Sequence, residues 1–260
     1  MARYGWTTML GLALLVIGIV TPTAAEDLTA AQKRLEPHFK LQRPEGPGPF
    51  PAVIMVSGCS GFTPSESPAF FTHRAEQFKG EGAVVIFVDY LAARGFATCR
   101  DRGGAKGFAP EVGQDVIAGA AYLRAQPFVK PADIVAVGWS MGGGGVLAAL
   151  GAMPPSETPL LRAVVAFYPF CPDVKPWKTP VPALMLLGGL DDIAPADDCQ
   201  GLAKKVGAAG PVEVRVYRDA RHAFDVPEFP PMLKRGPGTV GYNADATRTA
   251  WDEIRKFLGR

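Results

Sequence analysis

The sequence predicts an α/β fold in which a mostly parallel sheet is covered by helices on both faces. Three observations carry this expectation. Short β-branched runs alternate strictly with helical stretches along the chain. Those runs are apolar at nearly every residue rather than at every second one, as strands buried on both faces read. The length, 260 residues with 48% hydrophobic and 20% charged side chains, suits one large core rather than a disordered or multispanning chain. Parallel neighbours need crossovers, which right-handed βαβ units supply, and reactive groups then sit beyond the carboxyl ends of the strands.

The first 25 residues stand apart from this pattern. Arg3 supplies a positive charge, Leu10 to Val20 is an apolar run of eleven residues, and Thr23-Ala24-Ala25 places small residues where a signal peptidase cuts. A membrane span needs about 20 apolar residues. Residues 1–25 therefore read as a signal peptide, and 26–260 as a single domain that is secreted or periplasmic and free of the membrane after cleavage.

Glu26 to Pro44 has room for one short helix and one edge strand. Six strands follow: Pro51 to Ser57, Ala83 to Asp89, Ile134 to Trp139, Ala163 to Tyr168, Val181 to Leu187 and Val212 to Tyr217. Between and after them lie helical stretches at Ala69 to Lys79, Glu111 to Arg124, Gly142 to Ala152, Asp197 to Ala208 and Asp245 to Leu258. Asp197 and Asp198 suit the N-cap and first turn of their helix. The Pro-rich segments Pro44 to Pro51, Pro154 to Pro159 and Pro227 to Pro237 read as surface loops.

Composition excludes several function classes. With 27 Lys+Arg against 25 Asp+Glu and no long run of one sign, the chain lacks the footprint of a nucleic-acid binder. Three scattered histidines and the absence of a C-x-x-C pair argue against a metal site and thiol redox catalysis, and no cofactor is implied.

Gly138-Trp139-Ser140-Met141-Gly142 fits G-x-S-x-G, directly after one strand and before a glycine-rich helix start. A sharp strand-to-helix turn there would expose Ser140 as a nucleophile, with Gly138 and Gly142 leaving room for it. A serine hydroxyl needs a base, and the base needs a group that fixes its tautomer. Of the histidines, His38 and His73 precede Ser140, so His222, just after the last strand, is the candidate base. The acid belongs after the strand Val181 to Leu187, where Asp191 and Asp192 compete. Asp191 is the choice because the turn delivers it first, leaving Asp192 for loop amides or solvent. The oxyanion formed on attack requires two backbone donors, Met141 N–H and, from the Ser57-Gly58-Cys59-Ser60-Gly61 loop, Cys59 N–H.

Export makes disulfides the expected state of Cys59, Cys99, Cys171 and Cys199, against the alternative of four buried thiols. Cys59 and Cys99 follow strands expected to be neighbours, and Cys171 and Cys199 follow another such pair. The expected pairing is Cys59 with Cys99 and Cys171 with Cys199, since loops leaving one sheet edge can meet the distance a disulfide needs.

These segments, PAVIMVSGCSG at 51–61, GWSMGG at 138–143, AFYPFC at 166–171, LLGGLDDIAP at 186–195 and YRDARHAFDVP at 217–227, together resemble the dienelactone hydrolase family of α/β-hydrolases. The resemblance spans nearly all of residues 26–260. It implies the α/β-hydrolase fold and nucleophile, acid and base at Ser140, Asp191 and His222. Ser140 stands where founding members of the family carry cysteine, and Ser57-Gly58 where many carry His-Gly.

Two function classes follow. One is a serine hydrolase cleaving a small-molecule ester or lactone through an acyl-enzyme on Ser140, with a peptidase or acyltransferase as the alternative within the enzyme class. The other is a non-catalytic binding protein, which fold resemblance alone permits. Arg94, Arg100, Arg102 or Arg221 could hold a substrate carboxylate, though solvated loop arginines are the plainer reading. Trp139 and Phe224 suggest an apolar wall beside the site.

Overall fold

The computed structural model describes residue 1 and residues 24–65, 67–153, 158–236 and 238–259. The apolar run of the expected signal peptide lies outside the described residues. A helix α1 (Ala24–Leu35) and a short strand β1 (Lys40–Gln42) occupy the N-terminal region. There follow β2 (Phe50–Val56), α2 (Phe70–Gly80), β3 (Val84–Phe87), α3 (Ala109–Arg124), β4 (Val129–Trp139), α4 (Met141–Ala152) and β5 (Ala163–Phe167). The chain continues through β6 (Ala183–Gly188), α5 (Ala196–Val206), β7 (Val212–Tyr217), the short pair β8 (Leu233–Arg235) and β9 (Gly238–Val240), and α6 (Ala244–Leu258).

The central sheet has the order β1-β3-β2-β4-β5-β6-β7. β1 runs antiparallel to β3, and the remaining pairs are parallel. Alternation along β2 shows how both faces are covered. Ala52, Ile54 and Val56 join the core under α1, α3, α4 and α5, whereas Val53 and Met55 join the core under α2 and α6. Both sets are fully buried, so the strand shows no polar face and its sequence reads as a continuous apolar run.

From β2 the chain moves outward to β3, then crosses back over β2 to β4 and proceeds to β7. The order reverses between β2 and β4, and the loops leaving those strands open a crevice at this point. The loop after β2 is Ser57 to Gly61, and β4 runs directly into Ser140.

Two expectations need correction. β8 and β9 form an antiparallel hairpin inside and just past the Pro-rich stretch read as a surface loop. Strands of three residues are too short for a period-2 pattern to register. Helix α5 begins one residue earlier than expected, with Pro195 at the N-cap and both Asp197 and Asp198 in its first turn. Acidic side chains there still face the positive end of the helix dipole. No described helix is long and apolar enough to cross a membrane.

Candidate active site

Ser140 sits at the turn from β4 to α4 with φ 54° and ψ −115°. Positive φ costs an L-residue steric strain, and the surroundings must hold it in place. The Ser140 amide donates to Phe167 O at 2.9 Å, and its carbonyl accepts from Gly144 N and Phe170 N. The turn is also possible because its flanks are glycine. A Cβ on Gly138 would stand 2.2 Å from Gly142 O, and one on Gly142 2.3 Å from Val56 O. No side chain fits at either place without moving backbone.

Three elements converge on the serine hydroxyl. His222, in the loop after β7, has Nε2 2.9 Å from Ser140 Oγ. Its Nδ1 lies 2.7 Å from Asp191 Oδ2, in the loop after β6. The Asp191 side chain is buried, and its other oxygen accepts from Ile193 N at 2.9 Å and Ala194 N at 2.8 Å. Those amides fix the carboxylate plane, so one oxygen is left for the imidazole. The fold thus brings together Ser140, His222 and Asp191, which lie 82 and 31 residues apart in pairs.

Asp192 has a different task. Its exposed carboxylate accepts from Thr239 N at 2.7 Å and from the Thr239 hydroxyl at 3.1 Å. The Thr239 amide is the main cause that holds the Asp192 carboxyl below the usual carboxylate range. This contact ties the β8–β9 hairpin to the Asp191 turn. Val240 of the same hairpin forms a parallel bridge with His222, and the Gly241 amide donates to His222 O. Sequence reasoning missed the hairpin as a support for the histidine loop; the Gly238-Thr239-Val240 stretch that closes it gives little signal by itself.

The loop after β2 reaches the serine from the opposite side. A Cβ on Gly58 would lie 3.2 Å from Ser140 Cβ, so the two backbones are close neighbours. Cys59 is bonded to Cys99, Tyr90 Oη donates to Gly58 O at 3.1 Å, and Cys99 N donates to Cys59 O at 3.0 Å. The Gly58 and Cys59 carbonyls are therefore both occupied. The second disulfide joins Cys171 to Cys199, with Cα atoms 5.3 Å apart, and links the loop after β5 to α5. Met141 is the first residue of α4, where helix amides lack intrahelical partners.

Several side chains named from sequence serve elsewhere. Arg94 pairs with the buried Asp115 and with Glu111, and Arg102 pairs with Glu111. Arg221 donates to the Thr239 hydroxyl, and Arg100 is exposed. Trp139 and Phe224 are buried core residues and do not form a wall of the site. Trp139 stacks on Phe167 at 5.4 Å, and Phe224 packs against Phe167, Tyr168 and Tyr217. Trp139 is the residue before Ser140 on β4, and alternation turns it to the core; Phe224 lies two residues beyond His222, after Ala223 at a φ of 59°.

A mostly parallel sheet with the serine turn at its switch point defines an α/β-hydrolase fold, and solved structures share it. A putative dienelactone hydrolase from Klebsiella pneumoniae is 19% identical over 85% of this chain and 92% of its own, with a TM-score of 0.63. A butyrate-bound esterase from Thermogutta terrifontis is 18% identical over 85% and 87%, with a TM-score of 0.60. A dienelactone hydrolase-like promiscuous phosphotriesterase from metagenomic libraries is 18% identical over 85% and 91%, with a TM-score of 0.61. The family model for dienelactone hydrolases matches residues 39–260, and the chain belongs to that family. It is accordingly a hydrolase of ester bonds.

Proposed function

We propose that this protein is an exported serine hydrolase that cleaves a small carboxylic ester or lactone through an acyl-enzyme on Ser140. The observation that carries the reading is the continuous chain of hydrogen bonds from Ser140 Oγ through His222 to Asp191, at 2.9 and 2.7 Å. In the first step Ser140 Oγ bonds to the substrate carbonyl carbon while His222 Nε2 takes its proton. Asp191 stabilises the imidazolium and keeps the second ring proton on Nδ1. The carbonyl oxygen, now an oxyanion, accepts from Met141 N–H and Cys59 N–H. Collapse expels the alcohol, which takes the proton from His222; in a lactone that alcohol stays tethered to the acyl group. Water then attacks the acyl carbon, giving a proton to His222, and Ser140 leaves with it. Residues 1–25 act as the signal peptide that delivers the 26–260 domain to a secreted or periplasmic location, in keeping with the two disulfides.

A panel of short-chain esters, lactones and peptides, assayed with wild type and Ser140→Ala, tests this. Ester or lactone turnover that drops by roughly 10⁴-fold or more in the variant supports it. Turnover of peptides alone, or activity that survives the substitution, contradicts it.

A further inference from the structure

Three residues beyond His222 lies a second carboxylate, Asp225, with no exposed surface. Burial pushes its carboxyl above the usual range by desolvation, opposed by Arg74, Tyr168 and Trp139. Its Oδ1 accepts from the Tyr168 hydroxyl at 2.7 Å and its Oδ2 from Trp139 Nε1 at 3.1 Å. The Arg74 guanidinium lies 3.8 Å from Oδ2, donates to Asp225 O at 2.9 Å, and is held over the rings of Phe70 and Trp251. A buried carboxylate is costly unless its oxygens are met, and here each is.

The partners are informative because of where they sit. Trp139 immediately precedes Ser140 at the end of β4. Tyr168 follows β5 at a strained φ of 34°, and its ring centroid is 4.7 Å from that of His222, tilted by 58°. Asp225 itself belongs to the histidine loop. One carboxylate therefore ties together the strand end that carries the serine, the ring that backs the imidazole, and the loop that carries the imidazole. Asp191 fixes one edge of His222 and leaves rotation about that hydrogen bond to be limited by what packs on its face.

We propose that Asp225 is a positioning residue for His222, acting through the Tyr168 ring and through Trp139 at the serine turn. The proposal rests on the hydrolase reading of Ser140, His222 and Asp191. The charged and titratable groups around the imidazole are Asp191 from the loop after β6, Tyr168 from the end of β5, Arg221 from its own loop, and Asp225 with Arg74 of α2 behind Tyr168.

Asp225→Asn and Tyr168→Phe decide the matter, the second keeping the ring over His222 and removing only its hydroxyl. Each is measured well below its own unfolding midpoint on a short-chain ester, with His222 followed by NMR in ¹⁵N-histidine-labelled protein. The expected result is a kcat lowered roughly ten- to a hundredfold in both, with KM within about twofold. In both variants the ¹⁵N resonances of the His222 ring should also move from their wild-type positions, as expected if the Tyr168 ring that packs on it is no longer held by Asp225. A role confined to stability would lower the unfolding midpoint and leave kcat and the His222 ring resonances in place, and that outcome overturns the proposal. If Asp225→Asn does not fold, wild-type kcat in Tyr168→Phe overturns it equally. A wild type that turns over no ester removes the hydrolase reading and this proposal with it, whereas an active wild type matched by both variants removes this proposal alone.

Discussion

Two adjacent aspartates with different environments show how residue identity sets chemistry at this site. Asp191 is buried with both oxygens engaged, one by two backbone amides and one by His222. Asp192 faces solvent and grips Thr239. Asp191→Asn should lower turnover on the order of 10⁴-fold, because the amide leaves the imidazole in the wrong tautomer. Asp192→Asn should cost less than tenfold by comparison, and a steady-state comparison of the two variants checks the ranking. Gly142→Ala should cost at least about 3 kcal/mol in a denaturant titration, since its Cβ would meet Val56 O at 2.3 Å. Ser140, Asp191 and His222 could be named from sequence because strand ends and chain order leave few candidates, with three histidines and one of them after the serine. Asp225 could not. Its role depends on Arg74 and Tyr168, 151 and 57 residues away, and a buried carboxylate looks no different in sequence from a loop one.

Among the elements, the β8–β9 hairpin and the loop after β2 brace the site from two sides. The hairpin is clamped by Asp192, whose carboxyl is held below the usual range, so the clamp is in place above that range and is lost as pH falls through the depressed value. The Thr239 amide resonance should therefore titrate at that low pH in wild type and not in Asp192→Asn, which NMR can follow. The loop after β2 is fastened by the disulfide from Cys59 to Cys99. Replacing that pair with alanine should lower both stability and turnover, whereas replacing Cys171 and Cys199 should lower stability with a smaller effect on turnover; thermal unfolding and ester kinetics on the two double variants separate these. The long elements were legible because their apolar runs and periods are strong. The hairpin was hidden by its length and by the prolines around it, which suit a loop as well as an edge.

Across the whole molecule, the sheet supplies the core and the disulfides close loops of 40 and 28 residues between its neighbouring strand ends. Chain-entropy arithmetic assigns each bridge about 4 kcal/mol. Loss of both should lower the melting temperature by on the order of 15 °C or more, measured by calorimetry on the quadruple alanine variant. The same two bridges fit an exported chain, whose leader would be absent from the mature protein. Because β2 to β7 run parallel, the serine turn, the loop bearing Cys59 and the histidine loop all leave the sheet at its carboxyl end, and the reversal of order between β2 and β4 opens the crevice there. Topology of this kind follows from alternating strands and helices. The order in which they pair does not follow from that pattern, since a parallel strand can be added at either edge.

The central claim is that Ser140 is a nucleophile activated by His222. Its most direct measurement is covalent labelling of the folded, disulfide-bonded protein with a fluorophosphonate, followed by peptide mapping. One adduct on the peptide containing Ser140 is predicted, formed far more slowly in His222→Ala and absent in Ser140→Ala. An adduct on another residue, or labelling of Ser140→Ala at the wild-type rate, would contradict it.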